Sequence, residues 1–510
     1  CDTKQKKAKL AKKTQKKSPS SNSKQSKKNN VVEKTDKPKK TKKDKKTEKS
    51  SVNSSDEEAK AEPPVEKKVK RQEGKFPEDK MEKFKDNKEL SNFLLKPSDG
   101  IRPDNFVLPN HKDFVRWFYD TFGERYGAGS KKLEKLQKFQ FFNHQKLVRD
   151  YMGRDSPYRG ILLYHGLGVG KTCGSIAIAE SFRTNRKICI MLNKSLKQNY
   201  RENIMKCGAQ MLRLNQHWVW FEINKNDKEK VGLARAFGIK PSFIEKQGGV
   251  WFIDFSKDEP NYKTLTKQEQ EKLNLQINTM IDDRYHFYHM DGLTKKKLES
   301  MIKNREFDNS VLVIDEVHNL TNAMTKKRMG IRARGMLELI MNAENLKLVF
   351  LSGTPMINKP YELGVLFSLL RGPMSQFEIT CNPQPGNRIN LDELAQKLRT
   401  MPFVDSVSTL PKDNKLLVTK NPYGFINSDK EGIIVRNLKL NTLTNKETDE
   451  LLTNYIKGKG IKTESKINKF SLFPFNEDEF DEFFLKESAR GVDIKNIDMF
   501  KARIHGLVSH

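Results

Sequence analysis

Cysteine is scarce in this chain, and the few cysteines form no recognisable pattern. Five occur among 510 residues, with no CxxC pair and an odd total, at positions 1, 173, 189, 207 and 381. This usage argues against a disulfide framework and against a structural zinc site, because both need paired or clustered cysteines. It fits a protein that works in a reducing compartment.

Long apolar runs are missing as well. No stretch of the sequence approaches the roughly 20 apolar residues that a membrane-spanning helix requires. The first residues also contain no apolar signal region, because they are dominated by lysine and serine. The sequence therefore predicts no membrane partner.

The first 72 residues lack aromatic side chains and contain a single leucine. They carry 25 lysines and arginines against 10 acidic residues, so burial cannot offset the entropy lost on ordering. We predict a disordered, lysine-rich tail over residues 1–75. These 72 residues account for +15 of the net charge of +31, so the remaining 438 residues carry +16 and are basic too. An excess of positive charge favours a polyanion as partner. The tail itself is equally compatible with a solvated extension and with nucleic-acid contact or nuclear targeting.

What the chain does contain is a strand, a glycine-rich turn and a helix in immediate succession. Residues 161–164 form the short apolar run of a buried parallel strand, and HGLGVGKT follows. Three glycines let backbone N–H groups point at an anion where the helix begins: Gly166, Gly168 and Gly170. Lys171 is expected to reach the β- and γ-phosphates of ATP, and the Thr172 hydroxyl to bind Mg²⁺. The strict pattern has glycine where this chain has His165, so the prediction depends on GxGxGKT in its strand and helix context.

A second apolar strand, VLVIDEVHNL at residues 311–320, ends in two adjacent carboxylates. Asp315 is expected to hold Mg²⁺, directly or through water, and Glu316 to orient or deprotonate the attacking water. His318 is expected to connect this site to the next motif by a hydrogen bond. Adjacent acids at a strand tip that faces a phosphate loop indicate nucleotide hydrolysis.

A third strand, residues 348–351, runs directly into the sequence SGTP. Alone, SGTP is only a turn signal. Placed one helix after DEVH, it predicts a segment that senses the γ-phosphate and couples hydrolysis to movement, through Ser352, Gly353 and Thr354.

Two further candidate sites flank the phosphate loop in the sequence. The side-chain amide of Gln145 can both donate to and accept from the edge of an adenine. A strand at 187–192 leads into a polar turn with Ser195 and Lys197, where helicase-like domains touch the nucleic-acid backbone. An ordinary helix N-cap at Ser195 is compatible with that role and equally supported.

With these motifs in place, the chain resembles the superfamily 2 helicase-like ATPases through GLGVGKT, DEVH and SGTP. More narrowly, three runs are similar to ATPases of nucleocytoplasmic large DNA viruses, such as the poxvirus-type early transcription factor small subunit and nucleoside triphosphatase I. The runs are LPNHKDFVRWFYDTF, RDYMGRDSPYRGILLYHGLGVGKTC and SGTPMINKPYELGVLFSLLRG.

The resemblance implies DNA-stimulated ATP hydrolysis in viral transcription, with a location in the virion and the infected-cell cytoplasm. It assigns the ATPase roles to Lys171, Thr172, Asp315 and Glu316, and the adenine role to Gln145. Two alternatives stay open. One is a non-catalytic subunit that binds DNA or polymerase and uses ATP as a structural ligand, and the other is an RNA helicase.

The predicted fold is α/β, a P-loop RecA-like, doubly wound parallel sheet with insertions. Short helices are expected at 391–398 and 444–456, and an amphipathic helix within 108–126. The predicted divisions are the tail (1–75), an N-terminal helical element (76–130), a RecA-like ATP-binding helicase domain (131–372, with an insertion at about 208–300) and a connecting region (373–510).

The resemblance also implies a second RecA-like lobe that supplies an arginine to the transition state, and no QxxGRxxR-type motif occurs. Residues 488–494, SARGVDI, imitate a motif of that lobe but follow an acidic, aromatic run instead of an apolar strand. The second lobe is therefore expected to be missing from this sequence. We expect the isolated chain to bind nucleotide weakly and to turn it over poorly.

Overall fold

The structure, a computed structural model, describes residues 100–109, 111, 113–127, 139–166, 168–224, 226–254, 257–383, 390–422, 425–427, 433–434, 443–488 and 491–510. The predicted tail and the part of the predicted N-terminal helical element before residue 100 lie outside these ranges. Within them, no helix is both long enough and apolar enough to cross a membrane.

Strands and helices alternate along most of the described chain. The strands are β1 (Gly160–Leu163), β2 (Lys187–Leu192), β3 (Trp218–Glu222), β4 (Gly249–Ile253), β5 (Tyr285–His289), β6 (Ser310–Ile314), β7 (Lys347–Leu351), β8 (Met374–Asn382), β9 (Val404–Leu410), β10 (Lys415–Lys420), β11 (Ile426–Asn427), β12 (Ile433–Ile434), β13 (Lys462–Phe470), β14 (Leu485–Ser488), β15 (Gly491–Ile494) and β16 (Val508–Ser509). The helices are α1 (Phe114–Phe118), α2 (Glu124–Tyr126), α3 (Asn143–Tyr151), α4 (Lys171–Ser181), α5 (Lys197–Cys207), α6 (Lys228–Ala236), α7 (Pro241–Gln247), α8 (Lys267–Arg284), α9 (Lys295–Lys303), α10 (His318–Met324), α11 (Ile331–Asn342), α12 (Tyr361–Arg371), α13 (Leu391–Arg399), α14 (Asn445–Lys457), α15 (Glu477–Phe484) and α16 (Ile497–Ile504).

A six-stranded parallel sheet forms the centre of the molecule, in the order β16–β1–β7–β6–β2–β5. Every neighbouring pair in it is parallel; in β1 and β7, for example, Ile161 lies beside Val349. Strands β1, β6 and β7 are buried along their whole length, and β2 along all but its first residue. The predicted α/β class with a parallel sheet is confirmed.

Alternate residues of each central strand enter two separate cores. On β6, Val311 and Val313 pack into the core that contains α4, whereas Leu312 and Ile314 pack into the core that contains α12. This two-sided burial explains why the strands are continuous apolar runs in the sequence. The two-sided burial also fixes the pairing register of the strands. A shift by one residue would move each side chain from its own core into the opposite one.

Two strands of the sheet come from stretches that were predicted to lie outside it. Strand β5 falls inside the predicted insertion at 208–300, yet it pairs with β2 along its length. Strand β16 falls inside the predicted connecting region, yet Leu162 of β1 lies beside Val508. The sequence does not show that either strand joins the sheet, because β5 (YHFYH) is not the continuous apolar run of a buried strand and β16 has only two residues.

The predicted insertion, up to the end of α8, packs onto the core that contains α4. Its hairpin pairs β3 with β4, and Trp218 and Phe252 of these strands are fully buried in that core. Two side-chain amides form hydrogen bonds with the backbone of the hairpin. Asn261 bonds the N–H and the carbonyl of Trp218, and Gln276 bonds those of Trp251. The insertion is therefore part of the same packed unit as the central sheet.

A second, antiparallel sheet in the order β13–β8–β10–β9 follows the parallel one. Helices α13 and α14 cover it and share a separate core with it, which includes Phe377, Leu398 and Leu452. The two short helices predicted here are confirmed. The structure also confirms a helical segment within 108–126, where a π-helical turn, Tyr119–Gly123, joins α1 to α2. The stretch that imitates a second-lobe motif instead contributes to the hairpin of β14 and β15.

The structure contains a disulfide that the cysteine spacing did not predict. Cys173 in the first turn of α4 is bonded to Cys207, the last residue of α5. The argument from an odd count and the absence of CxxC was wrong on this point, because two helices that pack together can align cysteines of any spacing. Within the described residues, Cys189 and Cys381 remain as buried thiols.

Replacing Cys207 with serine should lower the free energy of unfolding by about 2–4 kcal/mol in the absence of reductant. The reason is that the bond closes a loop between residues separated by 34 positions, which restricts the unfolded chain. Urea denaturation measures this difference. In dithiothreitol the wild-type chain loses the cross-link as well, so most of the difference should disappear. An equal difference under reducing conditions would mean that the cysteines contribute only as packed thiols.

Candidate nucleotide-binding site

The carboxyl ends of the parallel strands bring the predicted motifs to one edge of the sheet. The phosphate loop follows β1, Asp315 follows β6 and Ser352 follows β7, which lies between them. The turn with Ser195 follows β2, on the other side of β6. In open parallel sheets this is the edge where ligands bind.

The phosphate loop has the backbone that its glycines predict. Gly168 and Gly170 have φ angles of +79° and +81°, in the left-handed region that side chains disfavour. Gly170 is also the residue that caps the start of α4. A Cβ atom at Gly170 would lie only 2.3 Å from Nε2 of Gln145, so this glycine is required by close packing as well as by conformation.

Helix α3 holds the second half of the loop. Nε2 of Gln145 donates to the carbonyl of Gly170 at 3.0 Å, and Nε2 of His144 lies 3.1 Å from the carbonyl oxygen of Val169. Oε1 of Gln145 accepts from the backbone N–H of Phe142 at 3.0 Å. Gln145 is buried, and both ends of its amide are engaged with backbone. It lies beside the phosphate loop, and its adenine role stays a prediction.

Lys171 lies between the phosphate loop and the SGTP turn. Its ammonium donates to the carbonyls of His165 and Gly166, at 2.8 and 3.1 Å. A Cβ atom placed on Gly353 would be 3.9 Å from the same ammonium. The first and third motifs are therefore in contact range of each other.

Asp315 and Glu316 differ in environment although they are adjacent. Asp315 is partly buried, and its Oδ1 accepts from the backbone N–H of Glu316 at 3.1 Å. Burial and, to a smaller extent, the Glu316 carboxylate raise the pKa of Asp315 to about 6, although the Glu316 N–H and the Lys171 ammonium act in the opposite direction. Glu316 has a φ angle of +50° and its side chain is 43% exposed. One acid is thus set into the protein while the other faces solvent.

His318 connects the second motif to the third. Its Nδ1 lies 3.0 Å from Oγ of Ser352 and 3.3 Å from Oε2 of Glu316. The Ser352 hydroxyl in turn accepts from the backbone N–H of Thr354 at 3.0 Å. The hydrogen bond that the sequence led us to expect between the two motifs is present.

Thr172 and Asp315 carry oxygen atoms of the kind that Mg²⁺ prefers as ligands. Mg²⁺ is usually bound by one or two carboxylates together with substrate phosphates. In the part of the chain that the structure describes, no group of three or more His, Cys, Asp or Glu side chains is placed to hold a metal ion. The donor set fits an ion that arrives with a nucleotide.

The candidate nucleic-acid contacts lie at the same edge of the sheet, beyond β6. Ser195 is exposed in a 3₁₀ turn, Lys194–Leu196, and the residue that precedes α5 is Leu196. Ser195 therefore does not cap α5. The ammonium of Lys197 lies 5.3 Å from the centre of the Phe287 ring, on the neighbouring strand β5.

Sequence reasoning missed two groups at this site. His144 holds the loop from α3, and Ser509 of β16 lies 2.9 Å from Nε2 of His165. The departure from the strict glycine pattern at His165 was the available signal, because a buried histidine in a phosphate loop needs a partner. Its partner is 344 residues away in the sequence, where no motif points to it.

Comparison with known proteins gives matches to viral helicases. The chain is 29% identical over 264 residues to "Putative ATP-dependent RNA helicase R563" of Acanthamoeba polyphaga mimivirus, covering 50% of this chain and 38% of that protein. It is 24% identical over 248 residues to "Putative helicase 087L" of invertebrate iridescent virus 3, covering 48% and 22%. It is 22% identical over 280 residues to "Termination factor NPH-I homolog" of African swine fever virus, covering 53% and 31%. No protein-family model matches.

The chain is similar to helicase-like ATPases of large DNA viruses. The resemblance inferred from the motifs is confirmed. The chain spans less than two fifths of the length of each of these three relatives. Among solved structures, the SWI2/SNF2 ATPase core of Sulfolobus solfataricus in complex with double-stranded DNA matches 47% of this chain and 37% of that chain, with 15% identity and a TM-score of 0.24.

Replacing Asp315 with asparagine should raise the free energy of unfolding at pH 8 by roughly 1–3 kcal/mol. A pKa raised to about 6 means that the ionised carboxylate is less stable in the folded chain than in the unfolded chain. The gain should shrink as the pH falls through 6 and vanish below about 4, where both states bind the proton.

Denaturation at several pH values measures this dependence. The matched control is Asp291→Asn, because Asp291 is exposed on a different turn and should show no comparable gain. A loss of stability in Asp315→Asn at pH 8 would contradict the assignment.

Proposed function

We propose that this chain carries the ATP-hydrolysing site of a helicase- or translocase-type ATPase that requires Mg²⁺ and nucleic acid. The observation that carries the proposal is the convergence of three motifs at one edge of the sheet. The Lys171 ammonium is 3.9 Å from the Cβ position of Gly353 and close enough to Asp315 to lower its pKa. His318 joins Glu316 to Ser352.

The phosphates would bind at the start of α4. There the backbone N–H groups of the loop and of the first helical turn would face the phosphates, at the positive end of the helix. Lys171 exchanges the carbonyls of His165 and Gly166 for phosphate oxygens. Thr172 and Asp315 would hold Mg²⁺, which would neutralise phosphate charge when bound.

Glu316 is the residue placed to act on water. Its carboxylate is exposed, and the backbone N–H of the same residue fixes Asp315. Glu316 therefore orients the attacking water and accepts its proton, while Asp315 would serve as a ligand of Mg²⁺. His318 contacts both Glu316 and Ser352, so we expect a change at the γ-phosphate to reach the SGTP turn through these side chains.

We propose DNA as the polymer, and viral transcription in the virion and the infected-cell cytoplasm as the setting. The similarity to a termination factor homologue and the excess of basic residues support this. RNA is the second candidate, because the mimivirus relative is described as an RNA helicase. Backbone contacts at Ser195 and Lys197 suit either polymer.

Lys171→Ala and Glu316→Gln should separate nucleotide binding from hydrolysis. Lys171→Ala removes the ammonium that pairs with phosphate, so both nucleotide affinity and cleavage should fall at least about tenfold. Glu316→Gln keeps the shape of the side chain, so ATP should bind as in the wild type while single-turnover cleavage falls about 10²-fold or more. Radiolabelled ATP with the protein in excess measures both steps.

Lys295→Ala is a suitable control, because Lys295 is exposed on α9 and pairs only with Glu299 of the same helix among the contacts described. Unchanged cleavage in Glu316→Gln would contradict the catalytic role of Glu316. Unchanged function of a Glu316→Gln chain that binds ATP but does not cleave it would support the alternative in which ATP is a structural ligand.

Lys197→Ala should weaken binding to single-stranded DNA and RNA without changing sequence preference. If Lys197 contacts one phosphate, the slope of log K against log salt should decrease by about 0.7. Lys446→Ala is the control, since Lys446 is 87% exposed on α14, which covers the second sheet. Fluorescence anisotropy with matched DNA and RNA strands also ranks the two polymers. An unchanged salt slope would remove Lys197 from the interface.

A further inference from the structure

His165 stands where the phosphate-loop pattern has glycine, and its side chain points into the protein. The residue is 8% exposed, and Nε2 lies 2.9 Å from the hydroxyl oxygen of Ser509. Nδ1 is buried and has no hydrogen-bond partner within the described part of the chain. The bond to Ser509 is therefore the one polar side-chain contact that the described residues give this imidazole.

Residues 505–509, named here the clasp, run along the edge of the sheet beside the phosphate loop. The backbone N–H groups of Leu162 and Tyr164 donate to the carbonyls of Leu507 and Ser509, both at 2.8 Å. Strand β16 is thus hydrogen-bonded to the β1 segment as far as Tyr164, the residue that precedes His165. The start of the loop is bonded to the clasp through backbone and side chain together.

The clasp also holds α3, the helix that supports the other half of the loop. The Tyr151 hydroxyl donates to the carbonyl of Gly506 at 2.9 Å, and Nδ1 of His505 lies 3.0 Å from the carbonyl oxygen of Pro109. Gly506 has a φ angle of +73°, and a Cβ atom there would lie 2.7 Å from Pro109. The close approach leaves no room for a side chain.

The phosphate loop is consequently held at three points. Ser509 holds His165 from the clasp, and His144 and Gln145 hold Val169 and Gly170 from α3. A loop with three glycines loses much conformational entropy when it closes on a ligand. Contacts that fix its shape beforehand reduce that cost and so increase affinity.

His165 can make this contact without opposing the ligand. Burial, followed by the nearby His144, Lys171 and His510, lowers the pKa of His165 to about 4. The imidazole is therefore neutral at physiological pH and leaves Lys171 as the cation of the loop.

We propose that His165 and Ser509 are positioning residues for the nucleotide, and that the clasp holds the phosphate loop in the shape that accepts Mg²⁺–nucleotide. By reciprocity, a bound nucleotide strengthens the docking of the clasp on β1. This inference depends on the proposed function, because it takes the loop to be a nucleotide site.

The first test compares the affinities of Ser509 variants of the 510-residue chain for N-methylanthraniloyl-ADP with Mg²⁺. Ser509→Ala removes the hydroxyl and should weaken binding about 3- to 10-fold. Ser509→Thr keeps the hydroxyl and should stay within about twofold of the wild type. The control is Ser465→Ala, because Ser465 is also a strand serine with a side-chain hydrogen bond, but in the second sheet.

A double-mutant cycle tests whether the two residues act through one bond. His165→Ala and Ser509→Ala should each weaken binding, and the double variant should be no weaker than the worse single variant. Fully additive losses would overturn the assignment. Equal affinity of wild type, Ser509→Ala and Ser509→Thr would overturn it as well, and would leave the proposed function intact.

Hydrogen exchange tests the reciprocal effect in the wild-type chain, where folding is not in question. Adding Mg²⁺–ADP should slow exchange in the peptide that contains the clasp, and the Gly506→Ala chain should lose that response. No change in the wild-type clasp at saturating nucleotide would overturn the proposal. A wild-type chain that binds no nucleotide would overturn both this inference and the proposed function.

Discussion

In a parallel sheet that is buried on both faces, polar side chains are accommodated mainly at the ends of the strands. In this chain, alternate residues of β6 enter two cores, so nothing polar can point sideways from the strand. The chain becomes polar at Asp315, where the strand leaves the cores, and the same happens after β1 and β7. The convergence of Lys171, Asp315 and Ser352 therefore follows from burial.

At this edge of the sheet, the positive charge of Lys171 and the negative charge of Asp315 compensate each other only in part. Lys171 is bonded to neutral carbonyls, and Asp315 has a raised pKa because burial and Glu316 outweigh the effect of Lys171. A nucleotide with Mg²⁺ carries both complementary charges at once: phosphate oxygens for Lys171 and a cation for Asp315. The site is thus electrostatically better matched to the complex of the two than to either alone.

The sequence predicted what local chemistry determines and missed what distant residues supply. The phosphate loop, DEVH and SGTP each combine an apolar run with polar residues at fixed offsets, so both the strand and its chemistry could be predicted. Strands β5 and β16 and the bond between Cys173 and Cys207 depend on tertiary packing, which has no period and no spacing rule. Gln145 is intermediate: the sequence indicated it through an expected contact with adenine, which stays a prediction, whereas its bond to Gly170 could not be predicted.

The same distinction explains why a glycine-rich motif does not make a binding site by itself. Glycine permits the positive φ angles of Gly168 and Gly170, but the same freedom makes the unbound loop costly to order. The order must come from elsewhere, and here it comes from α3 on one side and β16 on the other. At position 165 the loop has histidine in place of the glycine of the strict pattern. Its side chain can therefore form a hydrogen bond with Ser509. A departure from a motif can therefore mark the position where the rest of the fold controls it.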